Sequence, residues 1–277
     1  MPLRINNNVP SLFAQKHLGR TQERLAGNYD HLSSGMRITR ASDDAAGLGM
    51  SESMRSEIRS LRQAMRNQSD GISLIQTAEG SLAEIASNLM RMRQLAVQSA
   101  SEVIASTERT YIQTEFAALQ TEVDRIANVT EFNGLFLSNG VTASITVQVG
   151  INNVALNDRI TINMQDADTT ALGVDTGASN VNTVATARLA IGLLDIALTS
   201  VNTSRSAYGA AQNALGSALG NSASRTENMV ASESRIRDVD FAAETADLTR
   251  NTVFQQAGIA VLAQANQSTQ AALQLLQ

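Results

Sequence analysis

The residues of this chain able to do chemistry are few. His17 and His31 are the only histidines, fourteen positions apart on what reads as one helix face. No His-Glu-x-x-His pair occurs, and two histidines cannot complete a metal site without a third ligand. Surface or interface polar packing is the plainer reading for both. Cysteine is absent, which removes thiolate nucleophiles, disulfides, zinc–thiolate sites and iron–sulfur clusters. Asp43 and Asp44 could chelate a cation, but following Ser42 at the start of a helical stretch they complete a cap and meet the positive helix end. Gly47-Leu-Gly49 lacks the preceding strand and the basic residue of a phosphate loop, and a local helix adjustment accounts for it. Met50, Met54, Met65, Met90 and Met92 could form a soft binding strip, with core and subunit packing the better account. The chain therefore reads as a non-enzyme, with no catalytic residue, no cofactor and no metal site.

The elements that carry these residues are helices with a seven-residue rhythm. Pro2 and Pro10 are the only prolines, so nothing of the strongest helix-breaking kind follows residue 10. Apolar positions alternate at three and four through Met54, Ile58, Leu61, Met65, Gln68, Ile72, Ile75, Glu79, Leu82, Ala86 and Leu89, with Gln68 and Glu79 as polar interruptions. This predicts one helix over about 43–99. A second run, Ile112, Phe116, Leu119, Val123 and Ile126, ends at the turn-forming Glu131-Phe-Asn-Gly134 and should fold back on the first. A third, from Ala187 through Leu194, Val201, Arg205, Tyr208 and Leu215 to Leu219, completes a shared seam. Between them, Ile145–Val149 and Ile160–Met164 alternate apolar and polar, predicting a small β-hairpin near 141–165, and 166–184 reads as a short loop. At the ends, Leu18, Leu25 and Leu32 recur at seven, and Ile259, Leu262, Leu273 and Leu276 continue the rhythm.

Aromatics make up only 3% of the residues, with no Trp, and basic side chains are twenty Arg to one Lys against a net charge of −5. Slender helix-on-helix packing fits this composition, and a phosphate-tracking nucleic-acid surface does not. No run of eighteen apolar residues reads as a membrane span, and the start lacks the apolar core of a secretory signal. Residues 251–277 carry no charge, yet seven Gln and two Asn make them too polar for a bilayer. An uncharged amphipathic helix covered by other chains is the natural reading, because such a helix alone is marginal in water.

A series of separated motifs runs along the chain: Leu32-Ser-Ser-Gly-Met-Arg-Ile38, Asp43-Asp-Ala-Ala-Gly-Leu48, Asn67-Gln-Ser-Asp-Gly-Ile-Ser73, Thr77-Ala-Glu-Gly-Ser81, Arg91-Met-Arg-Gln-Leu-Ala-Val-Gln98 and Phe132-Asn-Gly134. At the far end stand Ser234-Arg-Ile-Arg-Asp238, Gln255-Gln-Ala-Gly258 and Leu262-Ala-Gln-Ala-Asn-Gln267. With these, over both ends and most of its length, the sequence resembles bacterial flagellin. The resemblance implies a mainly α fold, a long antiparallel coiled-coil bundle with a small β-hairpin region, whose terminal helices form a filament core. Residues 1–42 and 235–277 would form that inner tube, with Leu18, Leu25, Leu32, Ile259, Leu262, Leu273 and Leu276 in its assembly. Residues 43–234 would form a rod-like domain. Family members often insert large outer domains, whereas here Leu172-Gly-Val-Asp175 is followed within a dozen residues by the returning helix, so the chain resembles a minimal flagellin.

The function so implied is that of a structural subunit polymerising into the flagellar filament, a propeller for swimming. It would be extracellular and exported without a cleaved signal peptide. Implied partners are further copies of the chain, an export chaperone, and the filament cap and hook-filament junction proteins, with no nucleic acid and no membrane span. Two alternatives stay open: the hook-filament junction protein itself, and a coiled-coil bundle that does not assemble. Arg91 and Leu95, four apart and read as sharing a helix face with Glu115 alongside, match family residues that contact a Toll-like receptor. Gln94 and Met92 depart from the family's usual residues there.

Overall fold

A computed structural model describes residues 7–274, with the backbone alone for 268–274. The chain forms α1 (Val9–Ser34), α2 (Ala45–Ser99), α3 (Ser106–Val129), β1 (Glu131–Phe132), β2 (Leu135–Phe136), β3 (Ser144–Gln148), α4 (Ala155–Asp158), β4 (Arg159–Asn163), α5 (Val184–Arg237) and α6 (Phe241–Gln274). The mainly α expectation is met, with two small antiparallel hairpins, β1–β2 and β3–β4. Contacts divide the chain into a unit of residues 1–58 and 227–277 and a second of residues 59–226. The first is larger than the terminal segments 1–42 and 235–277 marked out in the sequence.

The second unit is a helical bundle closed by the hairpins. Its α5 repeat is strict: Ala187, Leu194, Val201, Tyr208, Leu215 and Ser222 recur at seven and all are buried, while Ile191, Leu198, Arg205, Gln212 and Leu219 between them are half-buried. One face of the helix is therefore a continuous seam. By length and composition α5 would also cross a bilayer, but its apolar stripe here packs into the unit's own core. Ion pairs fix its direction and register. Arg93 Nε lies 2.6 Å from Asp195 Oδ1, and Arg205 Nη2 lies 2.8 Å from Glu79 Oε1, so α2 and α5 run antiparallel. Arg91 and Glu115, 2.6 Å apart, tie α2 to α3. The Glu79 and Arg205 interruptions of two separate heptad runs thus answer each other.

On α2 the buried stripe keeps Ile58, Leu61, Gln68, Ile75, Leu82, Ala86 and Leu89 of the expected run, and at the other heptad position, between Ile58 and Ala86, it shifts by one residue. Ala64, Gly71 and Ala78 are buried, while Met65, Ile72 and Glu79 beside them are half-buried. These small residues, seven apart, let neighbours come close. A Cβ on Gly71 would sit 3.0 Å from Val147 Cγ2 and 3.2 Å from Leu215 Cδ1. The β3–β4 hairpin pairs Val147 with Ile160 and Ile145 with Ile162, and it buries Val147, Val149, Ile162 and Met164 against the helices as the alternation in the sequence requires. Gln68 explains the other interruption: its side chain is fully buried, and Nε2 donates to Val149 O at 2.8 Å and to Ser222 Oγ at 3.2 Å.

Residues 166–184 are more than a loose chain reversal. Ala167, Leu172, Val174 and Val181 join the core, and α3 holds the segment through side chains. Gln120 Nε2 donates to Val174 O at 2.6 Å and to Ser179 O at 3.1 Å, Asp124 accepts from Thr169 N at 2.8 Å, and Gln113 Oε1 accepts from Val181 N at 2.7 Å. The Gln120 amide oxygen has no partner, so this clip works through donation alone. Replacing Gln120 with Leu leaves two buried carbonyls without a donor. Urea denaturation of Gln120→Leu should show a loss of about 1–3 kcal/mol; an unchanged midpoint would mean that the segment is held by its apolar contacts alone.

Candidate functional site

The first unit pairs the two terminal helices. Asn8 caps α1 by accepting from Ser11 N at 3.1 Å, with Pro10 in the first turn where no helical N–H is needed. The same side chain donates to Ala265 O of α6 at 3.0 Å, and Ser11 Oγ donates to Asn266 Oδ1 at 3.1 Å. Further along, Leu18 Cδ1 lies over Gly258. Near the end of α1, Asn251 Nδ2 donates to Asn28 Oδ1 at 2.8 Å, while Asn28 Nδ2 donates to Glu244 Oε1 at 2.6 Å. The helices are antiparallel, and much of their seam is polar: among the side chains described, Ser11, Leu25, Asn251 and Ala265 are the buried ones. Amide and hydroxyl bonds fix register where large side chains do not.

Much of the apolar surface of this pair is left uncovered. Val9, Leu12 and Phe13 of α1 are more than half exposed, as are Phe241, Val253, Phe254, Ile259 and Val261 of α6. Of the residues assigned to assembly from the sequence, Leu25 is buried within the pair, Leu18, Leu32 and Leu262 are half-buried, and Ile259 is 53% exposed. Only the helical backbone of Leu273 is described, and Leu276 lies outside the described residues. Val9, Leu12, Phe13, Val253 and Phe254 were not singled out because they fall outside the seven-residue rhythm. Their signal was composition, large apolar side chains in a segment with no charge to solvate it.

The turns that return the chain into and out of this pair are stitched together. Gly35 ends α1 in the left-handed region at φ 70°, which suits glycine. Met36 then bridges Asp238, with Val239 N donating to Gly35 O at 3.0 Å and Arg37 N to Arg237 O at 2.6 Å. Arg237 Nη1 reaches Glu52 Oε1 at 2.6 Å, and this bond is the main cause that holds the Glu52 carboxyl below its ordinary range. Asp240 caps α6 by accepting from Ala242 N and Ala243 N. The acidic pair divides its labour. Asp44 caps α2, accepting from Gly47 N at 2.8 Å. Asp43 closes the preceding turn, accepting from Arg40 N at 2.8 Å and from both N and Oγ1 of Thr39 at 3.0 Å. Ser42, expected to set the cap, makes only a 3.5 Å contact to Asp43.

Neither histidine sits in a ligand set. His17 stacks against Phe13, with ring centroids 5.6 Å apart. His31 Nδ1 lies 3.2 Å from Glu244 Oε1, and its Nε2 lies 3.9 Å from Asp43 Oδ2. Among the described residues no three His, Asp or Glu converge as a metal site. The methionines do not form one strip: Met92 is fully buried, whereas Met50 and Met90 are about half exposed.

In the second unit the Arg91–Glu115 pair is exposed on both sides. Leu95 is separated from it and is only 2% exposed, inside the core. The reading that Arg91 and Leu95 share an accessible face is corrected by the seam: Met92, Leu95 and Ala96 turn inward together, and Arg91 stands at its edge.

Heptad-packed helices with an uncovered apolar terminal pair define a helical structural protein whose surfaces suit packing. Comparison with known proteins sharpens this. Residues 5–143 match the bacterial flagellin N-terminal helical region, and residues 191–276 match the bacterial flagellin C-terminal helical region. A flagellin of Halalkalibacterium halodurans is 43% identical over 272 residues, covering 98% of this chain and 99% of the relative. A flagellar filament 33 kDa core protein of Treponema phagedenis is 43% identical over 286 residues, covering 98% and 99%. The crystal structure of Bacillus cereus flagellin superposes with a TM-score of 0.50 at 34% identity, covering 61% of this chain and 94% of that one. The chain belongs to the bacterial flagellin family.

The backbone N–H of Arg40 is the largest cause that holds the Asp43 carboxyl below its ordinary 3.8, followed by the N–H and hydroxyl of Thr39. A carboxylate depressed in the folded state contributes stability above its unfolded pKa and loses it as pH falls through the folded value. Asp43→Asn should therefore lower the melting temperature at neutral pH, and its deficit should shrink as pH drops below about 4. A deficit that does not change with pH would locate the effect in packing rather than charge.

Proposed function

We propose that the chain is the structural subunit of the bacterial flagellar filament, polymerising outside the cell into the propeller used for swimming. The observation that carries this is the uncovered apolar surface of α1 and α6. A self-contained bundle would bury Phe13, Val253, Phe254, Ile259 and Val261, and here all five are more than half exposed. Apolar surface of this extent on a paired helical element is the mark of an association site. A heterologous contact that does not close into a ring propagates as a helix. In this reading the α1–α6 pairs of successive copies pack around the filament axis, Leu18, Leu25 and Leu32 with Ile259, Leu262, Leu273 and Leu276 contributing to the tube. Residues 59–226 carry torque through packed helices.

The same surface explains the remaining partners. Before assembly, an uncharged C-terminal segment needs cover, and an export chaperone supplies it. At the filament ends, cap and hook-filament junction proteins meet the faces that another copy would otherwise occupy. The hook-filament junction alternative is less well supported, because the two relatives described above are named flagellin and filament core protein along nearly their whole length. The same names support a structural rather than an enzymatic role.

A second reading, recognition of the released chain by a Toll-like receptor, is supported by the exposed Arg91–Glu115 pair. Leu95, being in the core, supports the position of Arg91 rather than serving as an anchor. Charge-assisted bonds from a guanidinium are strong when water is excluded.

Two outcomes test these readings. A chain lacking residues 251–277 should sediment as monomer under conditions that polymerise the full chain, and long tubes from the truncated protein in electron images would refute the role of α6. Released wild-type monomer should bind the receptor ectodomain on a sensor surface, and Arg91→Ala should weaken that binding by about 1–3 kcal/mol. Absence of wild-type binding, or equal binding by the variant, leaves the pair with packing alone.

A further inference from the structure

The chain contains two Asn-Gly pairs, Asn133-Gly134 and Asn139-Gly140, and the structure gives them opposite surroundings. An asparagine followed by glycine is the pair most open to attack by the next backbone nitrogen on the side-chain amide. Glycine has no Cβ to shield that nitrogen, and its backbone bends freely toward a five-membered ring.

Asn133 stands in an open turn. It is the only non-glycine residue with positive φ among the described residues, at 51°, and Gly134 follows at 79°. The two form the tight turn between β1 and β2, a connection that calls for positive φ at both central positions. Both are exposed. A Cβ on Gly134 would meet nothing within 4 Å, so the attacking nitrogen is unscreened. The ladder holding the turn is only two residues long on each side, Glu131 to Phe136 and Phe132 to Leu135, and so short a hairpin opens easily.

Asn139 is held. Its Oδ1 accepts from Val141 N at 3.2 Å, which fixes the side-chain amide. Gly140 is itself exposed, but the Asp166 carboxylate lies against it where a Cβ would stand, so that side chain screens its approach. The preceding Ser138 is fully buried, with its Oγ 3.0 Å from Ser81 Oγ and its carbonyl accepting from Ala167 N at 2.9 Å.

We propose that Asn133 is a self-modification site, deamidating through a cyclic imide with water as the only co-reactant, while the fold excludes Asn139 from the same reaction. The Gly134 nitrogen gives up its proton and bonds to Cγ of Asn133. The bond from Cγ to the side-chain nitrogen breaks, and that nitrogen leaves as ammonia. Water then adds to one imide carbonyl. Cleavage of the new bond yields aspartate, and cleavage of the original backbone bond yields isoaspartate. Nothing is oxidised or reduced. The product places a carboxylate in a turn that already carries Glu131 two residues away. The isoaspartate form adds one carbon to the main chain and breaks the β1–β2 register. This inference does not depend on the assembly reading.

The test is prolonged incubation of the purified full-length chain in mildly alkaline buffer, followed by peptide mapping with mass detection and resolution of the two acid isomers. The expected result is conversion at position 133 to both isomers, with position 139 at least tenfold slower, and near-equal rates once the chain is unfolded in denaturant. Three results would overturn the proposal. They are a stable Asn133 in the folded chain, conversion of Asn139 at a matching rate, or a difference between the two that persists in denaturant, which would assign the selectivity to local sequence instead of the fold.

Discussion

A seven-residue repeat of buried positions, strictest in α5, is the constraint on which the second unit depends. Ala187, Leu194, Val201, Tyr208, Leu215 and Ser222 hold one helix face to the core, and everything packed against that face must match its spacing. The small positions Ala64, Gly71 and Ala78 of α2 repeat at the same interval and set how closely the hairpin and α5 approach. Larger side chains there would hold the seam open. With few aromatic residues to fill space, close approach of helix backbones takes the place of bulk. The price is sensitivity, since a seam of alanines and a glycine leaves little slack for an added methylene.

Polar residues then determine which of the possible registers is used. A heptad seam alone permits slippage by one repeat, because each step restores the same apolar pattern. Gln68 answers Val149 and Ser222, Glu79 answers Arg205, and Arg93 answers Asp195. Each match fails if α5 moves by one heptad. The exposed ion pairs contribute little stability individually, and their value lies in distinguishing one alignment from another. In the terminal pair the same task falls to Asn8, Ser11, Asn28 and Asn251, which bond across a seam that has little apolar burial to specify it.

How much of this was legible in the sequence follows from what each pattern encodes. The seven-residue rhythm gave the long helices, and the alternation at Ile145–Val149 and Ile160–Met164 gave the hairpin, because side-chain periodicity follows directly from backbone geometry. The buried face of α2 keeps the expected Ile58, Leu61, Ile75, Leu82, Ala86 and Leu89 and adds the small Ala64, Gly71 and Ala78, which a rhythm of large apolar residues does not mark. Gln120 passed unnoticed for a related reason: a buried amide bonding to loop carbonyls leaves no periodic trace. Leu95 was placed beside Arg91 because residues four apart share a helix face, but a seam edge falls between them. Spacing gives neighbours on one helix and says nothing of where the next helix covers them. Ser42 and Asp44 are both good caps by type, and only the actual first turn of α2 selects between them.

The clip formed by Gln120 has a consequence for how the second unit tolerates change. One side-chain amide grips the chain at Val174 and again at Ser179, while Thr176, Gly177 and Ala178 between them are exposed. Both ends of that short exposed stretch are secured from below, close together in space. Additional polypeptide entering and leaving there would meet anchors already in place, and closing even a long excursion between nearby fixed points adds only a slowly growing entropic cost. The tip is a grafting point: a foreign segment could be spliced between Val174 and Ser179 and displayed without asking the helices beneath it to repack.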